Sequence, residues 1–155
     1  MDKLQVLASC KQWFNAQGYD LDEGIEVSVG WRVDISAIRE EAHWLVTALG
    51  DSLDERQYLY DFDGAIDRLI GTSAQLERDA FMAVALPFSS TENGLDLSYR
   101  RALKKYSNSI IFLDLNISLL LVREDTSLQM LTSEAVNPFL RDLNRLIGRR
   151  GRQSQ

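Results

Sequence analysis

The sequence contains very few cysteines, prolines and histidines. It has one cysteine, two prolines and one histidine among 155 residues. A single cysteine excludes an intramolecular disulfide, and it also excludes a zinc site built on several thiolates. His43 has no histidine or cysteine cluster around it, so we expect a packing or edge residue there and neither a ligand nor a base. Cys10 lies on the apolar stripe of a predicted helix, which favours a buried, inert thiol.

Long hydrophobic runs are also missing. The longest, such as Leu119–Val122, fall far short of the ~18–20 residues that span a bilayer, so we expect no membrane span. Met1–Cys10 carries one acid and one base without a long apolar stretch, which is not the pattern of a secretory signal. The expected location is therefore the cytoplasm. With 45% apolar residues, the chain has enough material for one well-formed core.

Positive charge is in deficit and unevenly distributed. The chain has 17 Lys and Arg against 23 Asp and Glu, for a net charge of −6. Proteins that coat nucleic acid normally present a basic surface, so this balance favours a protein partner or a second copy of the chain over nucleic acid. Residues 141–155 carry five arginines and one aspartate, which leaves residues 1–140 at −10. We predict one domain over residues 1–148 and a basic, flexible tail at 149–155.

The hydrophobic periodicity predicts alternating helices and strands. A first helix is expected over 2–17, and strict alternation over Ile25–Ala37 predicts one bent strand or two short strands divided at Gly30. His43–Leu49 is apolar on both faces, as expected of a central strand. The later elements are a helix over 62–76, a strand at Ala80–Leu86 stopped by Pro87, a helix at Leu97–Tyr106, a strand at Ile117–Val122 and a closing helix at Ala135–Ile147.

The resulting order, α-β-β-β-α-β-α-β-α, predicts the topology. The closely spaced strands at the start favour an antiparallel meander, and the helices between the later strands favour parallel crossovers. Ile110–Leu115 fits either a strand or a helical turn. The predicted fold is an α/β domain with a mixed central sheet flanked by helices.

This order, with an aspartate late in the second strand and a buried strand directly after it, resembles the restriction-endonuclease-like, or PD-(D/E)XK, nuclease superfamily. The stretch GWRVDISAI (Gly30–Ile38) is similar to the family's strand that ends in a metal-binding aspartate, which would be Asp34. HWLVTALG (His43–Gly50) is similar to the strand on which active members carry an acid, one spacer residue and a lysine. The later stretches AFMAVALP, YRRALKK and ISLLLVRED are similar to the family's last core strands and the helix between them. The resemblance as a whole covers residues 3–125.

The resemblance implies a specific chemistry. In active members two carboxylates on adjacent strands hold Mg²⁺ or Mn²⁺, which activates a water, while the lysine assists the attack. Acid and lysine are two residues apart because strand residues i and i+2 share a face. Here those positions hold Thr47 and Leu49, which offer neither a carboxylate nor an amine. The resemblance therefore implies a degenerate, non-catalytic member that acts as a binding or scaffold module, with Asp34 as the remnant of a metal site.

Three alternatives remain open at this point. The first is a divalent-metal-dependent nuclease whose active-site groups have moved; the candidate replacements are Glu26, Glu40, Glu41, Lys104 and Lys105. A straight strand would place Glu26 ~26 Å from Asp34, so only a hairpin at Gly30 could join them. The second is a solvated Asp34 paired with Arg32 or Arg39. The third is an unrelated α/β domain, in which the strand at His43–Leu49 would lie at a sheet edge away from Asp34.

Basic residues define where nucleic acid would bind if it binds at all. One group lies on the predicted helix at Leu97–Tyr106, and the other lies in the tail. The alternative interpretation is that these residues promote solubility and form ion pairs with the acidic residues of 1–140. The candidate nucleic-acid-binding residues are Arg100, Arg101, Lys104, Lys105, Arg149, Arg150 and Arg152.

Overall fold

A six-stranded mixed sheet organises the chain. The computed structural model describes residues 1–23, 26–28, 31–51, 55–76, 79–88, 99, 103–106 and 111–142. The elements in chain order are α1 (Lys3–Ala16), β1 (Asp20–Glu23), β2 (Glu26–Ser28), β3 (Trp31–Arg32), β4 (Ile35–Arg39), β5 (Ala42–Ala48), α2 (Glu55–Ala74), β6 (Phe81–Phe88), α3 (Ile111–Asp114), β7 (Ile117–Arg123), β8 (Leu128–Leu131) and α4 (133–142).

The sheet is parallel in its centre and antiparallel toward both edges. Its strand order is β1-β4-β5-β6-β7-β8, in which β5, β6 and β7 run parallel. The pairs β1–β4, β4–β5 and β7–β8 are antiparallel, and β2 and β3 form a separate hairpin. The predicted mixed sheet flanked by helices is therefore confirmed. β5 is the third of the six strands and pairs with β4. The alternative of an unrelated domain required this strand to lie at a sheet edge, and it does not.

Each face of the sheet has its own hydrophobic core. On one face α1 buries Val6, Cys10 and Phe14 completely, against side chains that include Ile35 and Ala37 of β4. On the other face α2, α3 and α4 pack over a larger core. Strands β5, β6 and β7 contribute side chains to both cores. Burial on both faces is the reason that their sequences are almost continuously apolar.

Local sequence determines where α1 begins and ends. The Asp2 carboxylate accepts from the backbone N–H of Gln5 at 2.8 Å, and the Gln5 side chain accepts from the N–H of Asp2 at 2.8 Å. This reciprocal capping box satisfies two backbone donors that a helix start otherwise leaves unpaired. At the other end, Gly18 has φ +86, a conformation that favours glycine and lets the chain turn into β1.

The strands differ from the sequence-based prediction in several places. The alternating stretch is divided into β2, β3 and β4, and Ser36 of β4 is buried although its polar face was expected to be exposed. Strands β1 and β8 were not predicted. The strand expected to stop at Pro87 continues to Phe88 as β6. β5 pairs with β6 only as far as Ala85. Pro87, which lacks an N–H, lies beyond that point and pairs with Val122 of β7 on the other side.

The helices agree more closely with their predictions. Helix α2 begins at Glu55, before its predicted start, and the ambiguous stretch Ile110–Leu115 contains the short helix α3. Within the predicted helix Leu97–Tyr106, only Tyr99 and 103–106 lie among the described residues, and 99, 103 and 104 are helical. The end of the closing helix and the tail lie outside them. Among the described residues, no helix is both long and apolar enough to cross a membrane.

Candidate functional site

Asp34 lies in the bend between β3 and β4, beside the carboxyl end of β5. Its carboxylate Oδ2 accepts from the backbone N–H of Ala48 at 2.9 Å, and Oδ1 lies 3.0 Å from Nζ of Lys3 in α1. Its backbone N–H donates to the carbonyl of Val46 at 3.0 Å. The side chain is 20% exposed, so these charge-assisted contacts are only partly screened by solvent. Asp34 therefore links the start of α1 to the end of β5.

Of the two arginine pairings considered for Asp34, the one with Arg39 is not found. The Arg39 guanidinium donates from Nη1 to the carbonyl of Gln17 at 2.5 Å and lies over the ring of Tyr19, 4.6 Å from its centroid. The side chain of Arg32 lies outside the described side chains. The partner that the structure does provide, Lys3, was missed by the sequence analysis. The sequence feature that could have drawn attention to Lys3 is its place in the first turn of a predicted helix, within the range that the resemblance covers.

Thr47 and Leu49 are the two β5 residues that the sequence resemblance matches to the acid and the lysine of active nucleases. Thr47 is fully buried, and its hydroxyl has no hydrogen-bond partner among the described residues. Leu49 is 5% exposed and belongs to the core beneath α2. Strand alternation places Thr47 on that same face, between Leu45 and Leu49, whereas the Asp34 carboxylate contacts α1 on the opposite face. The structure does not bring these positions together as one polar site.

The end of β5 is closed by the beginning of α1. A Cβ added to Gly50 would lie 2.2 Å from the backbone nitrogen of Lys3 and 2.6 Å from the carbonyl carbon of Asp2. The N–H of Asp51 donates to the carbonyl of Met1 at 2.8 Å, and the hydroxyl of Tyr99 donates to the carbonyl of Gly50. Protein atoms thus fill the space directly beside the strand end.

The donor set at this place does not fit Mg²⁺. That ion takes oxygen ligands in octahedral geometry, usually from one or two carboxylates with waters and phosphates. Here the Asp34 carboxylate is already paired with Lys3. Thr47 and Leu49, the two β5 residues compared with the acid and the lysine, supply no carboxylate. Within the described ranges, no group of three or more His, Cys, Asp and Glu side chains is placed to hold a metal ion.

The acidic replacements considered for a moved active site are distributed over the fold. Glu40 and Glu41 are exposed in the turn after β4, whereas Asp34 precedes that strand, so the five-residue strand separates them by roughly 17 Å. Glu26 pairs with Arg32 in the β2–β3 hairpin. That hairpin brings the backbone of Glu26 back toward Asp34, as the sequence analysis required, but its side chain is not among those described.

The described part of the basic helix is tied to α2. Lys105 Nζ lies 2.8 Å from Oδ2 of Asp63, and the hydroxyl of Tyr106 donates to Oδ1. Burial raises the pKa of Asp63, but the hydrogen bonds from Lys105 and Tyr106 outweigh it and leave that pKa below its ordinary value. Lys105 is therefore paired within the chain, at a partly exposed position. Lys104 is exposed, and the other candidate basic residues, Arg100, Arg101, Arg149, Arg150 and Arg152, lie outside the described residues.

His43 and Cys10 sit in environments that suppress their reactivity. Nε2 of His43 lies 2.5 Å from Oγ of the buried Ser36 across the β4–β5 pair, and burial lowers the pKa of this imidazole. Cys10 lies on the buried face of α1, and burial together with the negative charge of Asp34 raises the pKa of its thiol to about 12. At neutral pH the histidine is therefore neutral and the cysteine is a thiol.

We expect acid to destabilise the fold through His43. Its unfolded imidazole binds a proton near ~6.5, whereas the folded one does so only at lower pH, so the stability present above ~6.5 declines as the pH falls through that value. Because the chain has one histidine, a single imidazole Cε1–H signal reports the folded pKa by NMR. His43→Gln should flatten the stability profile between neutral pH and pH ~5. A folded pKa at or above ~6.5 would contradict this expectation.

Comparison with known proteins identifies similar folds. The chain resembles the crystal structure of an XisH family protein from Nostoc punctiforme PCC 73102, with 14% sequence identity, a TM-score of 0.50, and coverage of 82% of this chain and 98% of that one. It also resembles an fdxN element excision controlling factor protein from Anabaena variabilis, with 16% identity, a TM-score of 0.51, and coverage of 83% and 97%. No known family profile and no curated protein matches the sequence.

Proposed function

We propose that this chain is a degenerate restriction-endonuclease-like domain that acts in the cytoplasm as a non-catalytic binding or scaffold module. The observation that carries the proposal is the engagement of Asp34. Its two carboxylate oxygens are bonded to Lys3 and to the amide of Ala48, so the family's metal-binding position serves here to hold α1 on the sheet. The burial of Thr47 and Leu49 supports the same conclusion, because a reacting phosphodiester needs ligands and charge at a solvent-accessible surface.

The similar folds and the charge of the chain bear on the choice of partner. One of the two neighbouring structures bears the name excision controlling factor, so this architecture occurs in a protein named for control of excision. A net charge of −6, and the internal pairing of Lys105, favour a protein partner or a second copy of the chain over nucleic acid. The proposed partner surface is therefore one that does not depend on a basic patch.

One contact favours a second candidate function, a nuclease with moved active-site groups. Lys3 Nζ lies 3.0 Å from the Asp34 carboxylate, and Lys3 is 47% exposed. An acid beside an accessible lysine is the pair of charges that such an active site uses. Against this candidate, no group of three or more His, Cys, Asp and Glu side chains among the described residues is placed to hold a metal ion.

The two functions differ in a cleavage assay on single- and double-stranded DNA and on RNA, in Mg²⁺ and in Mn²⁺, with EDTA controls. We expect no metal-dependent cleavage by the wild type. Asp34→Ala and Lys3→Met should lower the melting temperature without changing the background signal, because both remove the link between α1 and β5. Asp22→Asn, on the exposed β1, is the matched control and should alter neither quantity. EDTA-sensitive cleavage that persists in Asp22→Asn but disappears in both other variants would establish the nuclease instead.

A further inference from the structure

The two edges of the sheet are protected very differently. At one edge β1 has the sequence DLDE, in which three of the four side chains are acidic. At the other edge β8 has the sequence LQML, which carries no charge and no proline. Among the described residues β8 pairs with β7 alone, so its outer backbone groups have no strand partner. Natural proteins usually guard a free edge with charges, prolines or bulges because its unpaired N–H and C=O groups can bind another strand.

A groove lies next to this unguarded edge. It has a volume of about 340 Å³ and lies between α1 and the turn that connects β7 to β8. On the same face of the sheet as α1, the side chains of Leu128 and Met130 are only partly buried. Strand addition typically combines main-chain hydrogen bonds along an edge with side chains that enter a neighbouring pocket. The β8 edge offers both features, and Leu128 at the start of β8 is one of the residues that line the groove.

We propose that β8 pairs in antiparallel fashion with β8 of a second copy of this chain, which joins the two sheets into one. A two-fold axis perpendicular to the sheet keeps each face on its own side. Leu128 and Met130 of the second copy then lie on the α1 face, beside the groove of the first. The uncharged sequence of β8 allows this self-pairing without repulsion, whereas two β1 edges would set acids against acids.

This inference rests on the proposed binding role and names the partner. Its test is sedimentation velocity of the full chain from micromolar to submillimolar concentration. We expect the wild type to be a dimer, and Gln129→Lys to weaken dimerisation at least ~10-fold because it places like charges close to the two-fold axis. Gln129 is exposed and its side-chain oxygen accepts from Nη2 of Arg123 at 2.8 Å, so this variant loses one surface hydrogen bond and should still fold, which circular dichroism verifies. Asp22→Lys, which puts the same side chain on the exposed β1 edge, should leave the dimer intact.

Hydrogen exchange provides a second, independent measurement. We expect the amides of 128–131 to become more protected as the concentration rises, and those of β1 to be insensitive to it. A wild type that remains monomeric throughout, or a dimer weakened by Asp22→Lys and not by Gln129→Lys, overturns the inference. Sedimentation does not report on cleavage, so a monomer without nuclease activity refutes the dimer alone, and a dimer that cleaves refutes the non-catalytic function alone.

Discussion

An acid placed at Thr47, where the resemblance to active nucleases would require one, should damage the fold rather than create a metal site. We expect Thr47→Glu to lower the free energy of unfolding by about 3–5 kcal/mol, because the position is fully buried and no cationic partner faces it among the described groups. A loss of that size is a large fraction of the ~5–15 kcal/mol that holds a typical domain together. Urea denaturation measures the change, and a titration with Mn²⁺ shows whether the metal restores any stability.

Thr47→Val is the matched control for this substitution. Valine has nearly the volume of threonine, and the hydroxyl that it removes has no hydrogen-bond partner in the part of the chain that the structure describes. We therefore expect Thr47→Val to be neutral or to stabilise the fold by about 1 kcal/mol. A Thr47→Glu variant as stable as the wild type, with a melting temperature that rises in Mn²⁺, would mean that position 47 reaches an open metal site. The proposed non-catalytic function would then be wrong.

The parts of the fold that could be predicted from the sequence are those in which burial dictates composition. The central strands β5 and β7 are buried on both faces, which requires a continuous apolar run that stands out in the sequence. The edge strands β1 and β8 are short and lack this requirement. In β1, acidic residues with low strand propensity lie at a solvent-exposed edge, so its sequence has no pattern that indicates a strand.

The candidate site could be predicted only in part, for a different reason. The resemblance pointed to Asp34, and the composition of β5 indicated that an acid and a lysine were missing. The role of Asp34 depends on Lys3, which is distant in sequence and reaches it only because α1 docks across the sheet. An ion pair formed by tertiary packing has no periodicity or spacing from which it could be inferred.

The docking of α1 can itself be tested at Gly50. We expect Gly50→Ala to lower the free energy of unfolding by about 3 kcal/mol. The added Cβ would meet backbone atoms of Lys3 and Asp2, which cannot rotate away as the end of a side chain can. Relief requires the start of α1 to move, and this movement would break the Lys3–Asp34 pair as well. Chemical denaturation measures the loss.

Gly64→Ala is the internal control for the same chemical change. Gly64 lies inside α2, and an added Cβ would meet nothing within 4 Å. Alanine there should stabilise the fold by about 0.5–1 kcal/mol, because glycine loses more conformational freedom than alanine in a helix. The opposite signs separate a steric effect at Gly50 from a general effect of replacing glycine. If Gly50→Ala proved as harmless as Gly64→Ala, α1 would not be seated on the end of β5. Asp34 would then be free to bind a metal ion, and the moved-site nuclease would become the better explanation.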